Sequence, residues 1–472
     1  MRKQKCTAAG KVQFLLCLMM ALALLAVGVG SLLKADAQVS VSEKRTLAAM
    51  PTLSARNLLG GAYADDFERY YSDHFWQRDQ LLAQNRKLNQ FYYYSGAEQS
   101  VVVMAEHDNL AEGGESLKAK STTAPTQATA QPTEPSAEST EPPTASTQPT
   151  EPPEESTYNS GVTDEDITVS DGSTIVIGDR AMELVTAVDD VLSDYAANIN
   201  RIKQAVGEDV RVFSLIAPNA AEFYSPEDMH TGVHSQKDMI AACYGQMDET
   251  VQTVDAYSAL LQHAQEEVYF RTDHHWTALG AYYAYTAFCQ TAGLHPVQLQ
   301  TMQTGSYEGF TGSLYLATSA YAQSEALKEN PDTVTWYQPT VQTKLTYYDD
   351  ASLRNPQTDL QVICSLDDDV VNKYLCFLGG DHPITWIDTD VDNDRVCLVL
   401  KESYGNAFTP FLTHHYQTVI AIDPREFNRD GKPDLDLAAF VQEHGVNDII
   451  VLNYPLAINN SAIVRWMGRL VA

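Results

Sequence analysis

The sequence predicts an α/β fold in which helices flank a mostly parallel sheet. The prediction rests on three short apolar stretches of strand length near the C-terminus, at 395–400, 418–422 and 448–452. Helix-like segments at 404–416 and 434–444 separate these stretches. Strands that alternate with helices are joined by crossover connections, which place consecutive strands parallel to one another.

The composition limits the possible functions. The chain has 472 residues, 44% of them hydrophobic, which is enough for one large or two modest domains with accessory segments. The formal net charge is −31, and no run of Lys or Arg follows the first few residues. This charge argues against nucleic acid as a partner, because a nucleic-acid interface needs a basic surface.

The first segment, residues 1–37, predicts export. Four basic residues up to Lys11 precede an uncharged, mostly apolar stretch at 12–33 that is long enough to span a bilayer. The basic flank predicts a cytoplasmic tip and an extracytoplasmic remainder, hence a single-pass protein of the cell membrane. Ala35-Asp36-Ala37 resembles a signal-peptide cleavage site, so secretion after cleavage is the alternative. The length of the apolar stretch favours an uncleaved anchor.

Two further segments precede the main domain. Residues 38–106 mix aromatic and charged positions and form the predicted N-terminal part of the extracytoplasmic domain, ending in a strand at 101–104. Residues 107–165 are rich in Thr, Pro, Ser, Ala and Glu, a composition that cannot bury enough apolar surface to fold. We therefore predict a disordered insertion that loops out of a hairpin with its second strand at 174–177. An interdomain spacer is the alternative.

Residues 166–472 form the predicted α/β domain. Before the C-terminal strands we expect one or two helices at 180–205, a strand at 210–216 and a long helix at about 236–263. A strand at 268–270 and a helix at 278–292 with Thr277 as its N-cap follow, and the region at 295–365 is expected to be irregular. Five cysteines follow the leader without metal-type spacing, and one pair such as Cys364 and Cys376 could form a disulfide.

Asp273-His274-His275-Trp276 lies between the predicted strand at 268–270 and the following helix. In α/β proteins such strand-to-helix loops carry chemistry. An Asp beside a His can fix the tautomer of the imidazole and stabilise its charged form, so the His can serve as a general base. The alternative is a set of polar loop residues that cap the helix. A metal site is less favoured because adjacent histidines rarely point at one ion, and we predict neither a metal nor a cofactor.

The parallel topology predicts a single crevice, because the carboxyl ends of parallel strands meet at one edge of the sheet. Ser403, Arg425 and Asn453 follow the three C-terminal strands, and the strand at 268–270 would deliver Asp273, His274 and His275 to the same edge. A hydroxyl, an Asp–His pair and fixed hydrogen-bond donors are what acyl transfer needs. The backbone N–H groups near Tyr404 and the Asn453 amide are candidate donors to an oxyanion.

Each candidate has a structural alternative. Ser403 suits an N-cap of the helix at 404–416, and Asn406 suits either an exposed first-turn position or the crevice wall. For Arg425, a loop-fixing ion pair with Asp423 is favoured over contact with substrate. Asn453 also suits a turn ahead of Pro455.

Several segments together resemble the bacterial DHHW protein family, which is similar to the SGNH hydrolase-like O-acetylation proteins of the alginate type. The segments are Asp273-His274-His275-Trp276, residues 401–412, residues 45–51, residues 70–79 and Asp423-Pro424-Arg425. The resemblance implies an SGNH-like core for most of 45–460 apart from the insertion. It also implies a triad of Ser403 as nucleophile, His275 as base and Asp273 as orienting carboxylate, with His274 and Trp276 as neighbours. The chain departs from the usual Gly-Asp-Ser context, since Lys401-Glu402 precedes Ser403.

The resemblance implies a membrane-anchored extracytoplasmic O-acyltransferase, with acetyl the expected group and a cell-envelope polysaccharide the expected acceptor. A multispanning membrane acyltransferase would supply the acyl group, since one leader span cannot transport a donor. A carbohydrate O-acetyl esterase with the same triad is a second hypothesis. The third, from a different class, is a non-catalytic glycan-binding envelope scaffold.

Overall fold

A computed structural model describes residues 162–163, 166–171, 173–319, 321–358, 360–429 and 431–471, and the isolated positions 39–40, 45–46, 50 and 70. The predicted leader at 1–37 lies outside the described residues, as do nearly all of the segments 38–106 and 107–165. Within the described part of the chain, no helix is both long and apolar enough to cross a bilayer.

The secondary structure alternates between strands and helices through most of the described chain. The strands are β1 (Val39–Ser40), β2 (Arg45–Thr46), β3 (Ile167–Asp171), β4 (Thr174–Ile177), β5 (Arg180–Glu183), β6 (Arg211–Ile216), β7 (Val251–Val254), β8 (Gln303–Phe310), β9 (Asp332–Gln338), β10 (Thr343–Tyr348), β11 (Ile384–Thr389), β12 (Val396–Lys401), β13 (Thr418–Ile422) and β14 (Asp448–Asn453). The helices are α1 (Asp189–Val206), α2 (Ala221–Tyr224), α3 (Gln236–Tyr244), α4 (Ala256–Gln262), α5 (Ala278–Ala292), α6 (Ser313–Thr318), α7 (Glu325–Glu329), α8 (Gly405–Leu412), α9 (Leu437–Glu443), α10 (Pro455–Ile458) and α11 (Ser461–Arg469).

Seven strands form the central sheet, in the order β10-β11-β13-β12-β14-β6-β7. The five strands from β13 to β7 run parallel to one another. At the other side of the sheet, β11 pairs antiparallel with β13, and β10 pairs antiparallel with β11. The predicted α/β class, with a mostly parallel sheet flanked by helices, is confirmed.

The three central strands are apolar because helices cover both faces of the sheet. β13 and β14 are buried at every position, and β12 is buried at every position after Val396. A strand buried on both faces shows a continuous apolar run rather than an alternating pattern. Leu400 pairs with both Ile422 and Val451, so the three strands end side by side at one edge.

The residues at the two ends of α5 explain where this helix begins and where it ends. The hydroxyl of Thr277 accepts a hydrogen bond from Gly280 N at 3.2 Å, which confirms the predicted N-cap. At the other end, Gly293 adopts a left-handed conformation with φ 70°, which glycine tolerates best. A Cβ on Gly280 would lie 2.3 Å from the carbonyl oxygen of Val268, so glycine permits the close approach of α5 to the preceding segment.

Two predicted helices are wrong in extent. The segment predicted as helical at 180–205 starts as strand β5, and α1 begins only at Asp189. The long helix expected at 236–263 is divided into α3, strand β7 and helix α4. Gly245 ends α3, and the β-branched residues of β7 favour an extended strand, which pairs with β6 at the edge of the sheet.

The remaining regions are more regular than predicted. β4 is confirmed as a strand, and it lies between β3 and β5 in a three-stranded sheet. Its predicted partner at 101–104 is outside the described residues. The region at 295–365, expected to be irregular, contains the antiparallel pair β8–β9 and the sheet strand β10. Cys364 and Cys376, the pair considered for a disulfide, are buried free thiols whose backbones are joined by a hydrogen bond of 2.7 Å.

Candidate active site

The Asp273–Trp276 segment reaches the site on a closed loop. The predicted strand at 268–270 is wrong, because Tyr269 forms only an isolated antiparallel bridge with Trp276 and does not join the sheet. Thr277 N donates to Val268 O at 3.0 Å, which closes the loop just ahead of α5. The run at 268–270 is apolar because it is buried, and a short buried run cannot be distinguished from a strand by its periodicity.

Asp273 holds the ring of His275 in a defined orientation. One carboxylate oxygen of Asp273 accepts from His275 N at 3.1 Å and lies 2.6 Å from His275 Nδ1. The other oxygen accepts from Ser313 N at 2.7 Å, at the start of α6. Because a carboxylate only accepts hydrogen bonds, Nδ1 must carry a proton, and Nε2 of the neutral ring is then an acceptor.

Gly312 lies directly against Asp273. A Cβ on Gly312 would be 2.1 Å from the Cβ of Asp273, so any larger residue would displace the carboxylate or the loop. The bond from Ser313 N and this close contact together hold Asp273 in place.

Ser403 meets His275 at the end of β12. Ser403 Oγ lies 2.8 Å from His275 Nε2, across 128 positions of sequence. Ser403 does not cap α8, since that helix begins at Gly405 with Tyr404 in the N-cap position and no side-chain cap bond. Asp273, His275 and Ser403 therefore form a continuous chain of hydrogen bonds, in which Asp273 is 3% exposed and His275 is 7% exposed. Their catalytic roles stay a prediction.

The predicted neighbours pack on this chain. The His274 ring centroid is 3.8 Å from that of His275, and His274 Nδ1 lies 2.6 Å from Ser313 Oγ. Trp276 is fully buried, and its indole N–H donates to Tyr404 O at 2.9 Å. Trp276 thereby ties the loop before α5 to the turn that carries Ser403.

The residues beside Ser403 are not arranged as the sequence suggested. Tyr404 N, expected to face an oxyanion, donates to Oε2 of Glu402 at 2.8 Å. The same Oε2 lies 3.4 Å from Ser403 Oγ. Glu402 is 1% exposed, and this burial raises the pKa of its carboxyl to about 7.

Asn406 and Arg425 belong to a buried ionic cluster, which comprises Asp381, Lys401, Asn406, Asp423 and Arg425. Within it, Asp381 accepts from Lys401 Nζ at 3.0 Å, Asn406 Nδ2 at 2.8 Å and Arg425 at 2.6 Å. Burial opposes ionisation of Asp381, but the charges of Lys401 and Arg425 outweigh it and hold the pKa of this carboxyl below its usual range.

The cluster shows where two of the candidates lie. Asn406 is 1% exposed, so the exposed first-turn position is wrong, because α8 is buried along its whole length. The guanidinium of Arg425 is 2% exposed and donates to both Asp423 oxygens and to Asp381. Its contacts are therefore those of the loop-fixing pair favoured above.

Asn453 lies at the same edge of the sheet but is tied to a different element. It ends β14, and its Oδ1 accepts from Tyr195 OH of α1 at 3.2 Å. The neighbouring pair in the ladder, Leu452 and Lys401, places Asn453 beside the turn that carries Ser403. Asn453 is therefore tied to α1 at the edge of the sheet where β12 ends.

Asp273, His274 and His275 also satisfy the spacing of a possible metal site. One ligand atom from each lies within 4.8 Å of the others. The same Asp273 oxygen and His275 Nδ1 form the 2.6 Å hydrogen bond described above. A metal there would compete with the bond that orients the imidazole.

Sequence reasoning missed four residues of the site. They include Gly312 and Ser313, which hold Asp273, and Tyr374, which stacks on His275 with ring centroids 4.0 Å apart. The fourth is Asp381, which accepts hydrogen bonds from the positively charged side chains of the buried ionic cluster. The Gly-Phe-Thr-Gly-Ser run at 309–313 was a usable signal, since closely spaced glycines indicate a close backbone approach. Tyr374 and Asp381 carried no local signal.

Comparisons with known proteins agree with this architecture. A DHHW family protein from Eubacterium siraeum is 30% identical and matches with a TM-score of 0.56 over 63% of this chain and 96% of that chain. Bacillus cereus PatB1 is 16% identical, with a TM-score of 0.49 over 62% of this chain and 98% of that chain. The O-acetyltransferase domain of Pseudomonas putida AlgJ is 14% identical, with a TM-score of 0.33 over 60% of this chain and 90% of that chain. The similarity to PatB1 and to AlgJ is too weak for a conclusion about function.

No curated protein matches the sequence. The family model described as DHHW protein matches residues 143–422, which include the Asp273–Trp276 loop and the turn that carries Ser403. With this match and the Eubacterium siraeum structure, the predicted family is confirmed: the chain belongs to the DHHW protein family.

Proposed function

We propose that this protein is an enzyme of acyl chemistry, with Ser403 as nucleophile, His275 as general base and Asp273 as the orienting carboxylate. The observation that carries the proposal is the unbroken line of contacts, 2.6 Å from Asp273 to His275 Nδ1 and 2.8 Å from His275 Nε2 to Ser403 Oγ. A serine hydroxyl is a poor nucleophile until a neighbouring imidazole accepts its proton. The contacts meet that requirement without rearrangement.

The reaction would proceed in two steps, the acylation of Ser403 and the transfer of the acyl group to an acceptor. Ser403 Oγ attacks the carbonyl carbon of an ester while its proton passes to His275 Nε2, and Asp273 stabilises the imidazolium. His275 then returns the proton to the departing alcohol, which leaves an acyl group on Ser403. A second hydroxyl gives its proton to His275 and attacks the acyl-serine, and Ser403 regains its proton as the new ester departs.

The acceptor decides between two activities of this one site. A sugar hydroxyl as acceptor makes the protein an O-acyltransferase, whereas water makes it an esterase. We favour acetyl transfer to a cell-envelope polysaccharide, because the sequence resembles O-acetylation proteins of the alginate type. Under this proposal the protein lies outside the cytoplasmic membrane, anchored by the N-terminal segment or released after cleavage. A multispanning membrane acyltransferase supplies the acyl group.

Labelling with a serine-directed fluorophosphonate tests the nucleophile directly. The full-length protein and a Ser461→Ala control, changed at the start of α11 away from the triad contacts, should be labelled equally. Ser403→Ala should lose the label, and hydrolysis of p-nitrophenyl acetate should fall with it. Labelling of Ser403→Ala at the wild-type rate would contradict the proposal. An unlabelled wild type that still binds envelope glycans would instead support the scaffold hypothesis.

Ester analysis of envelope glycans separates the two enzymatic outcomes. Cells that lack the protein, or that carry only Ser403→Ala, should contain less O-acetyl if it is a transferase. They should contain more if it is an esterase. Equal O-acetyl content in all strains would contradict both.

A further inference from the structure

Glu402 occupies an unusual position between the nucleophile and the first turn of α8. Its Oε2 takes the Tyr404 N–H at 2.8 Å and lies 3.4 Å from Ser403 Oγ. The side chain is 1% exposed, and none of the described residues donates to its other oxygen, Oε1. A fully buried carboxyl with one unsatisfied oxygen is poorly placed to carry a charge.

We propose that Glu402 is a positioning residue that must be protonated for acyl transfer at Ser403. In its ionised form it holds the Tyr404 N–H tightly and places a negative charge beside the reacting oxygen. In its neutral form it releases that N–H toward the incoming carbonyl oxygen and removes the charge. The inference rests on the proposed acyl chemistry and adds a second proton-dependent group to it.

The chemistry of the intermediate explains why charge on Glu402 matters. Attack by Ser403 Oγ converts the ester carbonyl oxygen into an oxyanion, which needs donors and is opposed by a neighbouring negative charge. A hydrogen bond to an ionised acceptor is roughly twice as strong as one between neutral groups. Ionised Glu402 therefore competes for the Tyr404 donor and repels the oxyanion, whereas neutral Glu402 does neither strongly.

The charged and titratable groups that act on Glu402 come from several elements of the fold. They are Lys401 of β12, Tyr404 ahead of α8, Asp381 before β11, Arg425 after β13, Tyr195 of α1, Tyr374 of the turn at 373–376 and Tyr454 after β14. Burial is the largest influence and raises the pKa of Glu402 to about 7, against the opposing effects of the Tyr404 N–H and Arg425. The positive charges of Lys401 and Arg425 also face Asp381, which they ion-pair. The change of charge thus falls near neutral pH.

The expected pH profile follows from the ionisation of Glu402. Labelling of Ser403 should fall as the pH rises through the range in which Glu402 ionises. Above about pH 7 the wild type should lose about tenfold in labelling rate per pH unit, as expected for a single essential proton. Glu402→Gln, which keeps the shape of the side chain and stays neutral, should lose this fall.

Glu222 offers a matched control. It is a second buried glutamate whose pKa burial raises to about 7, and it accepts from Gln236 N and Lys237 N at the start of α3 and from Tyr257 OH of α4. Glu222→Gln should keep the wild-type fall in labelling at high pH. Fluorophosphonate labelling rates of the full-length wild type, Glu402→Gln and Glu222→Gln from about pH 5 to 9 therefore test the proposal.

The outcomes are distinct. An alkaline fall that disappears only in Glu402→Gln supports the proposal, and a fall that persists in Glu402→Gln overturns it while leaving the nucleophile intact. A wild type without labelling at any pH overturns the proposed function and this inference together. If Glu402→Gln is unfolded by circular dichroism, Glu402→Asp replaces it. That variant should move the alkaline fall to another pH, and an unmoved fall overturns the proposal.

Discussion

The ring of Tyr374 lies on the imidazole of His275, with centroids 4.0 Å apart and planes inclined by 12°. The hydroxyl of Tyr374 donates to Ser403 O at 3.1 Å. One side chain therefore packs against His275 with its ring and holds the turn that carries Ser403 with its hydroxyl. Tyr374 is buried in a short turn at 373–376 that Asn372 caps through Tyr374 N.

Two substitutions at Tyr374 separate the effect of the stacked ring from the effect of the hydrogen bond. Tyr374→Phe keeps the stacked ring and removes one hydrogen bond, so we expect a loss of about 1 kcal/mol in stability and less than about tenfold in labelling rate. Tyr374→Ala removes the ring and leaves a cavity, with a loss of about 3–5 kcal/mol. Labelling should then fall roughly 100-fold because the base is no longer held in place. Urea unfolding and labelling rates measure both, and a Tyr374→Ala protein that labels at the wild-type rate would contradict the positioning role.

Gly312→Ala should damage the site without changing any reacting group. The added Cβ would lie 2.1 Å from the Cβ of Asp273, so the carboxylate or the loop must move, which disturbs the bond from Asp273 to His275 Nδ1. We expect labelling to fall roughly 100-fold, since a displacement of about 1 Å costs that much in rate. Gly245→Ala is the control, because its Cβ would approach Ala241 O only to 3.3 Å at the far end of α3. If both variants retain wild-type labelling, the contact between Gly312 and Asp273 has no role in the chemistry.

Asp381→Asn should destabilise the fold strongly at neutral pH. The carboxylate compensates Lys401 and Arg425, which are buried beside it, and removing one partner of a buried pair costs about 3–5 kcal/mol. Urea unfolding at pH 7 measures this loss. A change within about 0.5 kcal/mol would show that Asp423 alone suffices for Arg425.

The same carboxyl predicts how stability depends on acid. The pKa of Asp381 is lower in the folded than in the unfolded state, where the ordinary value is 3.8. Its contribution is therefore complete above about pH 4 and is lost as the pH falls below that value toward the folded-state pKa. The wild type should lose stability between about pH 4 and 2, and Asp381→Asn should lose less over the same interval. If the wild type and Asp381→Asn lost the same amount of stability over this pH interval, the loss would belong to other groups.

The sequence was sufficient for the parts of the fold that depend on local pattern. β12, β13 and β14 were predictable because each is a continuous apolar run bounded by helix signals. The sequence also predicted that Ser403 and His275 would lie at one edge, although the loop at 268–276 arrives there by closing on itself and not as a sheet strand.

Contacts between distant segments were beyond such reasoning. Tyr374 and Asp381 are ordinary residues in their local sequence, and they matter only because the turn at 373–376 and the segment before β11 reach the end of β12. For Asn406 the sequence left two positions open, an exposed first turn or the crevice wall, because its local pattern does not show which faces of the helix are covered. α8 is buried all round, which a segment with Pro410 and two phenylalanines could also have indicated.

The two buried glutamates predict an alkaline loss of stability. Burial raises the pKa of both Glu222 and Glu402 from an ordinary value of 4.5 to about 7. An acid with a raised pKa in the folded state binds more protons there than in the unfolded state, so the folded state loses stability as the pH rises from about 4.5 to 7. Each carboxyl should cost on the order of 3 kcal/mol across that interval, which urea unfolding at pH 5 and pH 8 can measure. Glu222→Gln and Glu402→Gln should each remove about half of this loss of stability, and the double variant should remove nearly all of it. Glu443→Gln is the control, because this residue lies at the exposed end of α9, and it should remove none of the loss. A loss of wild-type size in the double variant would show that both carboxyls ionise freely in the folded protein.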